Sequence, residues 1–502
     1  MRHAALSDGQ RILICLGVVG LFLLGSRLSV DAQCVIYEDQ RLTVPDPSRE
    51  FGTSVAVHGD VLVAGMPAVE VAKRHGVAFV YRFDGETWGQ EERLLSDSAD
   101  DYAFAHSVAV FGPTILIGVP GAYFPPYTLG AAFVFRFDGT SWVKTQELTV
   151  DSTHRGDSFA AAVALDGTVA AVGAPGADGA DLDAGAVHVF RDDGSEMLHD
   201  GSVYASDGLP WDYFGWSVAV NGDALLVGAP GHDEAGERAG AAYVFRHDGS
   251  RWRFEQELLA SDAAPEARFG YTVALKGDVA LIGAQGDHET FGAAYVFVFD
   301  GNCWTEQQKL VPGESVVGNR FGCAVAADEG VLAVGAFIST KRARGAVHLF
   351  RHDGSAWIEQ YKALSSDLAW GQHLGYSAAL SGPALVAGAT AWNDNQGAVL
   401  VFDARELRLT AEPAVVRPGD LLTFTTVCGK LGHATLLCIV GVDTAPVFIP
   451  VAAGSFDATG NWSSGFTVPP GVPSFQAFFQ TFALGYSGRV AMTVRELVTF
   501  TP

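Results

Sequence analysis

The sequence is poor in basic residues, in cysteine and in long apolar runs. Its 502 residues include 32 Lys and Arg against 57 Asp and Glu, six cysteines and four methionines. The formal net charge of −25 argues against nucleic acid and anionic membrane surfaces as partners, because both repel an acidic protein. No segment beyond the N-terminal region is long and apolar enough to span a membrane. No helical hydrophobic period appears either, which favours an all-β chain.

Motifs of common catalytic centres are also missing. The sequence has no H-E-x-x-H, no G-x-S-x-G, no C-x-x-C and no phosphate-binding loop ending in Lys-Ser/Thr. We therefore assign no catalytic residue and expect a protein that is not an enzyme.

The dominant feature is an internal repeat. A Phe-Gly pair, intact or degraded, recurs seven times at intervals of 52 to 55 residues, starting at Phe51, Phe104, Phe159, Phe214, Phe269, Phe321 and Leu374. Fourteen residues after each start a glycine opens a G-x-P-like triplet, as in Gly173-Ala174-Pro175. Another glycine then leads an apolar run, as in GAAYVFRHDG from Gly240. Three landmarks in register over seven copies define a repeat protein.

Each repeat is typical of four short antiparallel strands. Tight turns such as Asn221-Gly222 and Asp248-Gly249 join the first strand to the second and the third to the fourth. A four-stranded sheet cannot bury both of its faces alone, whereas sheets stacked radially around an axis cover one another. The repeats therefore predict a seven-bladed β-propeller over residues 33–408.

The last repeat predicts how the ring closes. After Asp403-Ala404 it lacks the tryptophan-bearing fourth strand of the other repeats. A suitable strand, Val35 to Leu42, stands at the other end of the chain. We expect it to complete the seventh blade and to leave no open sheet edge.

Residues 1–32 are interpreted as a signal peptide. Arg2 and Arg11 precede an apolar stretch that runs from Ile12 to Leu24, and small residues lead to a cleavage site after Ala32. A lipoprotein signal at Cys34 is the less favoured alternative. We expect a secreted, cell-surface or periplasmic protein without a membrane span.

An exported chain permits disulfides. The compatible pairs are Cys303 with Cys323 and Cys428 with Cys438, which leaves Cys34 over, but spacing alone does not establish the pairing.

Residues 409–502 differ from the repeats. Alternating strands separated by turns such as Pro418-Gly419 predict a small β-sandwich. This segment has five acidic and four basic residues, so nearly all of the negative charge lies on the propeller.

The Phe-Gly and Gly-Ala-Pro landmarks, followed by Gly-Ala-x-x-Val-Phe runs, resemble the FG-GAP repeat. That repeat builds the seven-bladed propeller of integrin alpha subunits and of many bacterial exported proteins, and the resemblance covers about 370 of the 502 residues. It implies a scaffold that binds a ligand or partner, often with calcium in blade loops. Only blade three approaches such a loop, with Asp178, Asp181 and Asp183 as weak candidate calcium ligands. Their spacing departs from the integrin pattern, and solvated acidic turns are the alternative.

Recognition is expected on the face that carries the second-to-third loops and the connections between blades. These segments are longer than the opposite turns and differ from blade to blade, as binding loops on a rigid frame do. Aromatic side chains there can stack on sugars or anchor a protein partner, although packing between blades is an equal alternative for each one. The candidates are Tyr123, Phe124, Tyr127, Trp211, Tyr213, Trp370 and Trp392.

Other repeated side chains are interpreted as structural. His188 and His348 occupy the third-strand position where other repeats have Tyr243 and Tyr295, which favours packing over general base catalysis. Carboxylates that stand seven residues before the Phe-Gly position are interpreted as turn caps; they are Asp97, Asp207, Asp262 and Asp367.

The favoured function is recognition or adhesion outside the cell, with a protein or glycan ligand bound on the variable-loop face. One alternative is an extracellular hydrolase or lyase that acts on a polysaccharide or phosphoester at the same face. Another is a structural part of an envelope or matrix assembly, with contacts made by the nearly neutral sandwich.

Overall fold

The computed structural model describes most of the repeat region and, for the C-terminal segment, backbone strands only. The described residues are 34–45, 50–67, 76–97, 103–121, 129–151, 153–178, 181–286, 291–312, 320–337, 345–367 and 372–404, with the strands between 408 and 500. The predicted signal peptide lies outside them, as do Cys428 and the side chains of Cys34 and Cys438. No helix within the described residues has the length and hydropathy of a membrane span.

Seven sheets confirm the predicted propeller; each contains the four strands of a blade, and the sheet of blade six has Cys34–Tyr37 as a fifth strand. Blade one consists of Ser54–His58, Val61–Met66, Val77–Phe83 and Trp88–Leu95; blade two of Ser107–Phe111, Thr114–Val119, Ala131–Phe137 and Trp142–Leu148; blade three of Ala162–Asp166, Val169–Ala174, Ala186–Asp192 and Met197–Val203; blade four of Ser217–Asn221, Ala224–Ala229, Ala241–His247 and Trp252–Leu258; blade five of Phe269–Lys276, Val279–Ala284, Ala293–Phe299 and Trp304–Leu310; blade six of Phe321–Asp328, Val331–Ala336, Ala346–His352 and Trp357–Leu364; blade seven of Leu374–Ser381, Ala384–Ala389, Ala398–Asp403 and Gln40–Leu42.

Smaller elements complete the chain. A four-residue helix, Trp392–Asn395, lies between the second and third strands of blade seven. The C-terminal segment forms a three-stranded and a five-stranded sheet, as the sandwich prediction requires. Their strands are Arg408–Glu412, Leu421–Val427 and Asn461–Thr467 in the first, and Val415–Val416, Ala434–Val442, Pro450–Ser455, Phe475–Leu484 and Val490–Phe500 in the second.

The N-terminal strand closes the ring, but it is shorter than predicted. Gln40–Leu42 pairs antiparallel with the third strand of blade seven, whereas Cys34–Tyr37 pairs parallel with the fourth strand of blade six. The two acids between them bond to different parts of the ring. Glu38 accepts a hydrogen bond from the backbone N–H of Ser366 after blade six (2.7 Å), and Asp39 accepts one from the backbone N–H of Asp403 in blade seven (2.8 Å).

Each Phe-Gly pair is the centre of a four-residue turn. In all seven repeats the residue after the pair donates its backbone N–H to the carbonyl of the residue before it, as Trp216 does to Tyr213 at 3.0 Å. The five glycines of these pairs have φ between 83° and 91°, the left-handed conformation that the third position of a type II turn requires. Ala105 and Ala160 adopt φ of 66° and 67° in the degraded copies.

The two other landmark glycines of one blade contact this turn in the next blade. A Cβ atom on Gly228 would lie 1.9 Å from the carbonyl oxygen of Gly270, and one on Gly240 would lie 2.1 Å from that of Phe269. Gly388 and Gly397 of blade seven approach the turn of blade one in the same way. The three sequence landmarks therefore form a single contact between neighbouring blades, and this contact maintains the spacing of the repeat.

Hydrogen bonds between blades repeat with the same period. At the inner strands, the Ser217 hydroxyl donates to the carbonyl of Gly270 (2.8 Å). At the outer strands, the Gln256 amide accepts from the Trp304 backbone N–H and donates to its carbonyl, both at 2.8 Å. Gln40 of the closing strand makes the same pair of bonds to Trp88 of blade one. Closure of the ring therefore uses the same pair of side-chain bonds that joins blades four and five.

The buried third-strand rings pack against the phenylalanines of the turns. The rings of Phe214 and Tyr243 are 5.5 Å apart, and those of Phe159 and His188 are also 5.5 Å apart. His188 shares a 2.7 Å hydrogen bond with the Ser202 hydroxyl, and burial lowers the pKa of His188 to about 4. Its imidazole is thus neutral and part of the core.

The possible bridge between Cys303 and Cys323 is not formed. Both thiols are free, because the residues belong to opposite ends of their sheets. Cys303 lies in the turn before the outer strand of blade five, whereas Cys323 lies near the start of the inner strand of blade six. The Cys323 thiol instead donates to the carbonyl of Gly375 at 3.2 Å.

Acid is expected to destabilise the propeller through the Asp-Gly turns. The Thr140 hydroxyl and the backbone N–H groups of the turn lower the pKa of Asp138 to about 2, and similar hydrogen bonds lower the pKa of Asp193 and Asp353 to about 2. A depressed folded pKa contributes stability above the unfolded value of about 3.9, and that contribution is lost as the pH falls towards 2. The unfolding temperature, measured between pH 7 and pH 2, should fall less steeply with acid in the triple variant Asp138→Asn, Asp193→Asn, Asp353→Asn than in the wild type. Equal slopes for the two proteins would contradict this assignment.

Candidate functional site

The Phe-Gly turns place a set of variable side chains around one end of the propeller. This turn ring consists of the residue before and the residue after each pair, at the entrance to each first strand. The first strands of neighbouring blades contact one another around the axis. The first and second strands of a blade are antiparallel, as in blade four, so the first strand begins at the end of the blade where the second strand ends. The turn ring therefore lies on the face of the second-to-third loops and the blade connections. Its members are Glu50, Thr53, Ala103, His106, Ser158, Ala161, Tyr213, Trp216, Arg268, Tyr271, Arg320, Cys323, His373 and Tyr376.

Large aromatic side chains of the turn ring are grouped in blades four, five and seven. The rings of Tyr213 and Trp216 are 6.1 Å apart, and Trp216 is 5.7 Å from Tyr271 of the next blade. Trp216 and Tyr376 are each 40% exposed. An aromatic row that is partly exposed and crosses from one blade to the next is unlike the isolated apolar side chains of an ordinary surface.

The same part of the ring carries positive charge in an otherwise acidic protein. Arg268 and Arg320 occupy the position before their Phe-Gly pairs. The Arg320 guanidinium lies 5.2 Å from the ring centre of Phe337. Burial raises the pKa of Tyr271 and of Tyr376, so both phenols stay neutral at physiological pH. The site thus combines neutral aromatic surfaces with guanidinium groups.

One position of the turn ring has an unusual backbone conformation. The residue before the Phe-Gly pair has a positive φ in six repeats, for example 57° in Tyr213, 56° in Arg268 and 44° in Arg320. Large side chains rarely adopt this conformation, and where it occurs it is often found at functional sites. Because the turn imposes it in most blades, the conformation belongs to the frame, and only the identity of the side chain varies.

The predicted aromatic candidates have different environments. Trp211 is 55% exposed, and its backbone N–H donates to the carbonyl of Leu182 at 3.0 Å. Tyr213 is half-buried within the turn ring. Trp392 is half-buried as well, with its indole N–H donated to Asp367 at 2.7 Å. Tyr123, Phe124, Tyr127 and Trp370 lie outside the described residues.

The predicted calcium ligands of blade three lie in a local turn. Asp178 accepts a hydrogen bond from the backbone N–H of Asp183 at 3.2 Å, and Asp181 accepts one from Leu182 at 2.8 Å. Burial, together with the charges of Asp178 and Asp157, raises the pKa of Asp183. The three carboxylates share one loop, and calcium binding there stays a prediction.

Sequence reasoning missed Trp216, Tyr271 and Tyr376. The predicted candidates lie in long loops, whereas these three residues directly follow the most regular motif of the chain. Alignment of the seven repeats on Phe-Gly would have shown that the next position varies from threonine and alanine to tryptophan and tyrosine.

Comparison with known families agrees with the landmark pattern. The FG-GAP repeat family matches residues 142–190, 200–245, 252–297 and 304–350. Three of these segments begin at a fourth-strand tryptophan, and all four end in a third strand, so each joins two adjacent blades. Four FG-GAP repeats therefore lie within the seven-bladed propeller. No curated protein matches it in sequence.

The FG-GAP propeller is also similar to solved structures of low sequence identity. Sqt1 from Chaetomium thermophilum is 12% identical with a TM-score of 0.42, over 94% of this chain and 98% of that one. The β-propeller domain of the Trilobed protease from Pyrococcus furiosus is 11% identical with a TM-score of 0.40, over 71% and 96%. Oligogalacturonate lyase from Vibrio parahaemolyticus is 9% identical with a TM-score of 0.37, over 75% and 99%.

Proposed function

We propose that the FG-GAP propeller is an exported, non-enzymatic recognition module of the adhesion type, and that it binds a protein or glycan ligand at the turn ring. The observation that carries this proposal is the aromatic row formed by the exposed Trp216 and the half-buried Tyr213 and Tyr271 across blades four and five. Flat aromatic faces stack on sugar rings and also serve as anchors in protein interfaces.

Charge supports a ligand with an acidic group. The charges of Arg268 and Arg320 act on Tyr271 of the aromatic row; Arg268 lies 3.5 Å from Glu266, and guanidinium groups bind carboxylates in a bidentate manner. The remaining surface of the propeller is strongly acidic and repels such a ligand elsewhere. The turn ring is therefore the region of the propeller that attracts an anionic sugar or an acidic peptide segment electrostatically.

The described chemistry of the ring supports binding without turnover. Cys323 is the thiol of the ring, and burial raises its pKa to about 12. A thiol with so high a pKa is not a nucleophile at neutral pH. His373 is half-buried, and burial together with the nearby Arg320 lowers its pKa.

Loss of the aromatic row is expected to abolish recognition. On glycan and protein arrays, the double variant Trp216→Ala, Tyr271→Ala should bind at least about 30-fold more weakly than the wild type, since buried aromatic anchors contribute about 2 kcal/mol or more. Phe254→Ala is a matched control, because Phe254 is 48% exposed on the outer strand of blade four. Binding should also weaken with salt and in Arg320→Gln.

Two results would contradict the proposal. One is retention of full binding by the double variant, which would move the ligand away from the turn ring. The other is turnover of a polysaccharide or phosphoester by the wild-type chain, which would favour the hydrolase or lyase alternative.

A further inference from the structure

A second cluster of chemically active side chains lies where blade three leads into blade four. We call it the His232 pocket; it consists of Asp207, His232, Glu234 and Glu257. Asp207 belongs to the connection between the blades, His232 and Glu234 follow the second strand of blade four, and Glu257 is on its fourth strand. One potential ligand atom from each residue lies within 4.8 Å of those of the other three.

His232 is oriented from behind by a buried carboxylate. His232 and Asp212 are 2% and 1% exposed, and Nδ1 of the imidazole lies 3.0 Å from Oδ2 of Asp212. The backbone N–H of Leu209 holds the same carboxylate oxygen at 2.8 Å. This arrangement directs Nε2 of His232 towards Glu234 and Glu257. A carboxylate behind a histidine is the usual outer contact of a metal-binding imidazole.

The front of the imidazole has no hydrogen-bond partner. Nε2 lies 3.6 Å from Glu234 and 3.5 Å from Glu257, beyond the usual hydrogen-bond range of about 2.7–3.2 Å. Nε2 of His232 and Oε1 of Glu257 are both buried without a hydrogen bond. Buried polar atoms normally have a partner, and these two face each other across a gap.

The width of the gap suits a shared cation. Two ligand atoms that each lie about 2.1 Å from a tetrahedral zinc ion are about 3.4 Å apart. The separations of 3.5 and 3.6 Å from Nε2 match this value. A proton is the competing occupant: although burial opposes it, the Asp212 hydrogen bond and the charges of Asp212 and Glu257 raise the pKa of His232 to about 9. With a proton on Nε2, the imidazolium would form ion pairs with Glu234 and Glu257 at these same distances, so titration with Zn²⁺ is needed to distinguish the two occupants.

Other junctions of the ring show what is unusual here. Asp97 pairs with Lys144 of the next blade at 2.6 Å, and Asp262 pairs with Lys309 at 2.7 Å. Asp367 likewise pairs with Arg41 of the closing strand. These aspartates therefore bind a cationic side chain of the following blade, a contact that their interpretation as turn caps did not include.

At the His232 pocket the cationic side chain is replaced by an acid. Glu257 lies opposite Tyr243 in blade four, as Lys309 lies opposite Tyr295 in blade five. Asp207 accepts a hydrogen bond from Tyr243 at 3.2 Å, as Asp262 does from Tyr295. The frame is thus the same in both blades, but blade four presents carboxylates on both sides of a position that is positively charged elsewhere.

We propose that the His232 pocket binds a divalent transition-metal cation of the zinc class. Nε2 of His232 and one oxygen each of Asp207, Glu234 and Glu257 supply four ligands, and Asp212 orients the imidazole. A set of four ligand atoms that includes one nitrogen favours zinc over calcium, because calcium takes six to eight oxygen ligands. The cation would tie the connection after blade three to blade four, beside the exposed Trp211.

The junction between blades four and five, where Asp262 pairs with Lys309, provides a matched control. Glu257→Lys places in blade four the residue that blade five has at Lys309, so the variant should form an ion pair with Asp207 and stay folded. It should also lose the metal, because it removes a ligand and adds a positive charge. Asp212→Asn keeps all four ligands but disturbs the orientation of His232, and should weaken zinc binding about 10- to 100-fold.

The test is titration of the chelator-stripped full chain with Zn²⁺, followed by calorimetry and thermal unfolding. We expect one equivalent bound by the wild type, a rise in its unfolding temperature, no competition by Ca²⁺, and binding at least 100-fold weaker in His232→Ala. Glu257→Lys should bind no zinc at this site and melt no lower than the metal-free wild type.

Either of two outcomes would overturn the proposal. In the first, the wild type binds no zinc, and the proton is then the occupant of the site. In the second, the wild type binds zinc no more tightly than Glu257→Lys does. If Glu257→Lys does not fold, Glu234→Gln replaces it, because the Glu234 side chain is 60% exposed. That variant should bind zinc at least 10-fold more weakly, and unchanged affinity would equally contradict the site.

Discussion

Replacement of Gly228 by alanine should destabilise the propeller by about 3 kcal/mol, near the upper end of the usual cost of overpacking. The added Cβ would lie 1.9 Å from the carbonyl oxygen of Gly270 and 2.4 Å from the Ser217 hydroxyl. The carbonyl belongs to the backbone of blade five, so no side-chain rotation can relieve the contact. Blades four and five must separate, and because the ring is closed the strain passes to the other junctions. Chemical denaturation followed by tryptophan fluorescence measures the loss.

Gly89→Ala is the matched control for this substitution. Gly89 lies in the outer strand of blade one, and a Cβ there would meet no atom within 4 Å. Its effect should be within about 0.5 kcal/mol, as for most surface substitutions. Similar losses for the two variants would show that the approach between blades does not limit the residue at position 228.

The fold was predictable because its repeat is required by close backbone contacts. Gly228 and Gly240 each admit only glycine against the turn of the next blade, so the landmarks persist where other residues vary. The division of the closing strand was not predictable in this way. Val35 to Leu42 reads as one continuous strand, and the partners of Glu38 and Asp39 belong to two different blades more than 300 residues away.

The candidate sites were less predictable, because their members are ordinary residues that only the fold assembles. Trp216 and Tyr271 are 55 positions apart in the sequence but stack between neighbouring blades. In the His232 pocket, each acid alone resembles the many acidic residues of the chain. The available signal was a difference between repeats, namely Glu257 where the next blade has Lys309. Positions that recur in every repeat identify the structural residues of the propeller, and positions that differ between repeats identify the candidate sites.

Removal of residues 34–45 should open the ring and unfold most of the chain under conditions in which the wild type is folded. The closing strand buries Leu42 and Val44, which are 4% and 6% exposed, and each contributes about 1.5–3 kcal/mol by leaving water. Gln40 adds two hydrogen bonds to Trp88, worth about 1 kcal/mol each. A loss of about 5–8 kcal/mol is comparable with the whole stability of a typical domain.

Complementation in trans separates loss of the closing strand from a general folding defect. A synthetic peptide of residues 34–45 should restore the thermal transition of the shortened chain, because the exposed edge of blade seven is a template for that strand. A peptide with Leu42→Asp should not restore it, since the carboxylate would be buried against Val399 and its neighbours. If the shortened chain melted at the wild-type temperature without any peptide, the six complete blades and the three-stranded seventh would be stable alone, and strand closure would not hold the ring together.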